Sequence, residues 1–159
     1  MRNILTLLVA FTVSSCAFVD FRDAECYGNK IAGDAPRKCG NAHFDKDSAS
    51  IDSCVIKNAE INRNFYAWYW EDGIDSNPAC GVALNRENDL FILSYDEWYL
   101  LFAPTFHPQK CDSWKMEYKD GKQTILCQLK NPICRYNDQM NKFLKFDDQP
   151  ANKSSHSAN

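Results

Sequence analysis

The chain has 159 residues, is 45% hydrophobic and 25% charged, and carries a formal net charge of −3. That length suits one domain with one core, and slight acidity without a Lys/Arg block excludes the footprint of a nucleic-acid binder. Eight cysteines point to an oxidising compartment, where paired thiols end as disulfides.

The N-terminus reads as a secretory signal: Arg2 supplies one charge, residues 4–13 are apolar, and Ser14-Ser15-Cys16-Ala17 offers small residues for cleavage. Ser15 and Ala17 place the cut after Ala17. The expected organisation is a signal peptide over 1–17, one cysteine-rich domain over 18–146, and a disordered polar tail over 147–159. Val13-Ser14-Ser15-Cys16 also fits a bacterial lipoprotein box. No segment reaches the ~20 apolar residues of a transmembrane helix, so no membrane span is expected. If Cys16 leaves with the signal, Cys26, Cys39, Cys54, Cys80, Cys111, Cys127 and Cys134 remain. An odd set means three bridges and one free or intermolecular thiol; a cut after Ser15 retains Cys16 and permits four.

Residues 22–47 are polar, carry Gly28, Gly33, Pro36 and Gly40, and read as a loop tied down by Cys26 and Cys39. From Ser50 the spacing predicts a short helix, with Ile51, Cys54, Val55 and Ala59 on one face. The aromatic run at 65–70 favours a strand ended by the turn at Glu71-Asp72-Gly73. Two further strands are expected at 80–84 and 90–93, joined by a turn over 85–89. Ser94-Tyr95-Asp96-Glu97 then matches a capping box, predicting a helix with Trp98, Leu101 and Phe102 on one face that ends before Pro104.

The strongest local signal is a hairpin. Trp114, Met116 and Tyr118 alternate with Lys115 and Glu117, Asp120-Gly121 is the turn, and Ile125, Cys127 and Leu129 alternate on the return. Counting back from the turn sets Met116 against Ile125 and Trp114 against Cys127, aiming Cys127 into the core. A last amphipathic helix is expected from Asp138, with Met140, Phe143 and Leu144 on one side. Asn152-Lys153-Ser154 is the glycosylation sequon, with Asn152 as acceptor. The expected class is α+β: an antiparallel sheet packed by two or three short helices and stapled by disulfides.

Chemistry-bearing residues are sparse. His43 and His107 each stand near a cysteine, as Cys39-x3-His43 and His107-x3-Cys111, a possible zinc tetrad. Oxidised cysteines are not ligands, so the favoured reading is disulfides with surface histidines and no metal or cofactor. Tyr95-Asp96-Glu97-Trp98 resembles a stretch of small secreted fungal ribonucleases, which combine a catalytic Glu with His and Arg. The surroundings of His43 and His107 do not identify an acid and base, and Glu97 is explained as a capping partner. Asp45/Asp47, Glu71/Asp72 and Asp96/Glu97 fall where acidic side chains are ordinary at turns and helix starts. The aromatic run is either a stacking platform for a sugar or base, or core; core is preferred.

The stretch from Cys39 to Cys127 resembles the secreted effectors related to the necrosis-inducing extracellular protein of the tomato leaf-mould fungus. The shared features are Cys39-Gly40 before Phe44, Asp52-Ser53-Cys54 at a helix, Trp68-Tyr69-Trp70 in an aromatic strand, Cys80-Gly81-Val82, Asp96 and a closing Cys127. The resemblance implies that Cys39 pairs with Cys127 and Cys54 with Cys80, leaving Cys26, Cys111 and Cys134 outside it. The Leptosphaeria avirulence family, also cysteine-rich α+β proteins of this size, is the competing resemblance. Both imply a non-enzymatic virulence factor, secreted to the apoplast or taken into host cells, that binds a host plant protein and is recognised by immune receptors. A ribonuclease-like enzyme and a killer-toxin-like protein are the rival classes.

Overall fold

The aromatic run becomes an interior strand with both faces covered, and the rest of the molecule is arranged around it. The structure is a computed structural model in which residues 24–43, 48–71, 76–98, 105–119, 121–134 and 137–147 are described. In chain order these form α1 (Ala24–Ala32), β1 (Arg37–Ala42), α2 (Ala49–Glu60), β2 (Phe65–Trp70), β3 (Ser76–Leu84), β4 (Leu90–Trp98), β5 (Thr105–Lys110), β6 (Ser113–Lys119) and β7 (Lys122–Gln128). A single 3-10 turn (Met140–Lys142) and β8 (Leu144–Asp147) follow. The first five strands lie in sequence order in one sheet, and the last three form a second. Pairs β1–β2 and β7–β8 are parallel and all others antiparallel, so the fold is α+β and disulfide-stapled, as expected.

Alternation along β2 sorts its side chains between two cores. Phe65, Ala67 and Tyr69 join Val82, Leu84, Leu90 and Ile92 against α2 and the small sheet. Tyr66 and Trp68 join Ala79, Ala83, Leu93 and Tyr95 beneath α1. A strand buried on both faces reads as a continuous apolar run without polar alternation. The aromatic stretch is therefore core: residues 65–69 are all buried, and only Trp70 at the strand end is half-buried.

The structure replaces the expected loop over 22–47 with α1 and β1 in its described part. Ala24, Gly28 and Ala32 recur every fourth residue, forming a small-residue stripe on one helix face. Burial against Tyr66 and Trp68 holds α1; no strong periodicity of large apolar residues announces it. The capping box at Ser94 also gives way, because Ser94–Trp98 continues β4. Tyr95 is fully buried on the α1 side, and ladder pairing with β3 runs from Leu90 to Trp98. Leu101 and Phe102 of the expected helix lie outside the described residues. The expected final helix shrinks to one 3-10 turn before β8 pairs with β7, although Met140, Phe143 and Leu144 are buried as anticipated.

Other expectations hold. The helix from Ser50 is α2, with Ile51, Val55 and Ala59 buried. The turn over 85–89 closes with Asn85 N–H donating to Asp89 O at 3.1 Å. The hairpin register sets Met116 against Ile125 and Trp114 against Cys127, with Gly121 at φ +77° in the turn. Tyr118, counted with the inward residues, is instead 74% exposed because the hairpin tip runs past the core.

The disulfides depart from the pairing the resemblance implied. Cys39 bonds Cys54, Cys80 bonds Cys134 and Cys111 bonds Cys127, so neither Cys39–Cys127 nor Cys54–Cys80 forms. The cause is topological. Helix α2 is the crossover between parallel strands β1 and β2, which sets Cys54 beside Cys39. Cys111 N–H donates to Leu90 O at 2.8 Å, fixing Cys111 at the corner between the sheets, where Cys127 points inward to meet it. Cys26 is also disulfide-bonded. No free cysteine occurs among the described residues.

Candidate functional site

Each residue singled out for chemistry has a definite place. His43 follows β1 at one edge of the large sheet, exposed, its ring 6.2 Å from that of Trp70 at an interplanar angle of 13°. His107 lies on β5 at the opposite edge, exposed and paired with Ser94. With four strand steps between β1 and β5, the two edges are roughly 19 Å apart. The proposed zinc tetrad is thus taken apart twice, by distance and by oxidation of Cys39 and Cys111. Among the described residues no cluster of His, Cys, Asp or Glu has a metal-binding arrangement.

Glu71 accepts a hydrogen bond from Asn137 Nδ2 at 2.7 Å, tying the large sheet to the segment before the 3-10 turn. Asp45, Asp47, Asp72, Asn152 and the side chain of Glu97 lie outside the described residues. Asp52 is built into a half-buried network at the N-terminus of α2: Ser48 Oγ donates to Oδ2 at 3.0 Å and Tyr69 Oη donates to Oδ1 at 3.1 Å. Burial first, and then the negative charge and hydrogen bond of Asp52, push the Tyr69 phenol far above its ordinary range. A phenol held protonated beside a carboxylate fastens α2 to β2.

The surface offers something different on the small sheet. Ile125 and Cys127 of β7 face the core, so Leu126 and Gln128 face away from it. Register then lays two rows across the three strands: Ser113–Gln128–Asp147, and Lys115–Leu126–Lys145. Around them opens a recess of about 280 Å³ lined by Ser113, Trp114, Lys115, Leu126, Gln128 and Asp147. Ser113 Oγ donates to Gln128 Oε1 at 2.7 Å, so the bond uses the acceptor end of that amide and not its N–H donors. Lys115 pairs with Glu117 at 2.8 Å; that hydrogen bond and charge, with Asp147 beyond, hold its ammonium above the usual lysine range. Trp114 Nε1 donates to Asn88 O at 2.8 Å, anchoring the indole at the rim.

No protein-family model, curated protein or solved structure matches the chain.

The recess is therefore read from its own chemistry. A hydroxyl, an amide, a carboxylate and an ammonium stand around half-buried Leu126 and the Trp114 indole, giving donors and acceptors of both charges for a polar partner. The sequence held one signal for it. Between polar Thr124 and Gln128 on the outward side of β7, Leu126 is the apolar residue out of place.

Proposed function

We propose that the chain is a secreted fungal effector, a virulence factor that binds a host plant protein and acts as an avirulence determinant where an immune receptor recognises it. The recess on the small sheet is the observation that carries the binding reading. It sits on strands held to the large sheet by Cys111–Cys127, so its polar row is presented on a rigid support. Three described disulfides and a fourth at Cys26 fit an extracellular protein. The pairing found differs from the one implied by the tomato leaf-mould effectors, so the reading does not rest on that resemblance. It makes the protein a binder and not a catalyst.

The test is expression in leaf tissue of resistant and susceptible genotypes, with and without the signal segment. The reading expects an altered immune response or cell death from at least one form. It expects a weaker response from Leu126→Lys, which fills the recess with a second ammonium beside Lys115. Absence of any host response from both forms overturns it, and degradation of RNA by the purified protein would move it to the ribonuclease class.

A further inference from the structure

Tyr118 keeps step with Trp114 and Met116 along β6, yet it is 74% exposed while those two are half-buried against the core. Its cross-strand neighbour is Gln123, whose Nε2 donates to Glu60 Oε1 at 3.2 Å at the C-terminal end of α2. Directly opposite residues hold their Cβ atoms ~4.5–5.5 Å apart, so this bond brings the end of α2 beside the hairpin tip. The residue after Glu60 is Ile61, 60% exposed. Among the described residues the exposed large apolar side chains are Ile61, Tyr118 and Ile133, and two of the three converge here. Single exposed apolar residues are ordinary on a protein surface, but a pair bracketing one hydrogen bond makes a patch. Cations stand around it. Lys57 lies one helical turn before Ile61, Arg63 two residues after it, and Lys122 adjoins Gln123; all three are exposed. Glu60, the carboxylate between them, is engaged by Gln123, and Glu117 points to the other face of the hairpin, where it pairs with Lys115.

We propose that Tyr118 and Ile61 form the apolar centre, and Lys57, Arg63 and Lys122 the rim, of a docking surface for an acidic amphipathic segment of a protein partner, one whose apolar side chains are flanked by carboxylates. An aromatic anchor inside a charged rim is the anatomy of a protein contact, and the sign of the rim selects carboxylates. The cations are gathered here in a chain whose net charge is −3. Leu126 and Gln128 face the other side of the same hairpin, so this surface is separate from the recess and does not depend on it.

The full chain, with its disulfides intact, is titrated against a labelled synthetic peptide alternating Leu and Glu, read by fluorescence anisotropy. The expected result is saturable binding that weakens as salt rises, because exposed charges are screened. Tyr118→Ser should weaken it by about tenfold or more, and Lys57→Glu should weaken it as well. Lys30→Glu, the same charge change at an exposed position of α1, should leave it unchanged. No binding, or binding indifferent to both Tyr118→Ser and Ile61→Ser, overturns the proposal. Equal binding of a peptide alternating Leu and Gln, which lacks carboxylates, overturns it too. So does tighter, Tyr118-dependent binding to anionic phospholipid vesicles, or self-association in sedimentation that Tyr118→Ser abolishes, which would assign the patch to a second copy of this chain. Should Tyr118→Ser lower the melting temperature by disturbing the hairpin, Ile61→Ser on the α2 side decides. Peptide binding without any leaf response would uphold this surface and overturn only the host-directed reading.

Discussion

At the scale of single residues, Trp68 shows how tightly the α1 side of the sheet is assembled. A Cβ on Gly28 would lie 2.9 Å from Trp68 Nε1 and 2.7 Å from Tyr66 Cδ2, while one on Gly81 would lie 2.7 Å from Trp68 Cε3 and 2.8 Å from Ala67 O. The indole is wedged between two glycines, and overpacking of this kind costs ~1–3 kcal/mol. Gly81→Ala is expected at the upper end, because a backbone oxygen cannot swing aside. Gly28→Ala is expected to cost less, since alanine recovers about 1 kcal/mol of helix propensity. Denaturant midpoints of the two variants check the order, and a Gly81→Ala protein as stable as wild type would refute the wedge.

Tyr69 gives a pH prediction at the same scale. Its folded phenol is held above the ordinary value, chiefly by burial and then by Asp52. The unfolded chain ionises near pH ~10 while the folded chain does not, so stability is intact below that pH and falls as pH rises beyond it. The slope approaches about 1.4 kcal/mol per pH unit. Tyr69→Phe should lose part of the stability at neutral pH, through the broken bond to Asp52, and show a shallower alkaline decline. Unfolding curves between about pH 9 and 11, one unit either side of the phenol's reference value, measure both. An unchanged alkaline slope would refute the assignment.

At the scale of elements, the hairpin of β6 and β7 was legible in full. Its alternation and its Asp120-Gly121 turn are local, and local chemistry sets its register. The outward row that makes the recess needed β8 as well, and β8 pairs with β7 from outside the hairpin. Gln128→Ala should therefore leave the melting temperature within about 2 °C, as an outward substitution of well under 1 kcal/mol does. It should still weaken the leaf response, because it removes the amide at the centre of the polar row. A melting temperature lowered as far as by Gly81→Ala would mean that Gln128 supports the fold and not a ligand. The helix expected from Ser94 failed for an equally physical reason. A capping signature is worth about 1 kcal/mol, and burial of Tyr95 together with ladder pairing to β3 outweighs it.

At the scale of the whole molecule, two sheets share one core that also takes in α2, while α1 closes the far face of the larger sheet. Cys111–Cys127 joins the sheets and closes 16 residues of sequence, while Cys80–Cys134 closes 54. In the chain-entropy account these restrict the unfolded state by about 3 and about 4 kcal/mol. Replacing each pair by alanines should destabilise in that order, read as guanidinium midpoints under non-reducing conditions. Equal losses would point to strain or residual unfolded-state structure as the larger influence.

The sequence by itself determined the class, the aromatic strand, α2, the hairpin and the inward aim of Cys127, because each depends on periodicity or turn chemistry within a few residues. Tertiary structure alone decided α1, the length of β4, the partners of the half-cystines and the recess. Those depend on which surfaces meet: a small-residue stripe is a helix face only once Tyr66 and Trp68 cover it. Likewise, Cys111 becomes the partner of Cys127 only once the two sheets share a core.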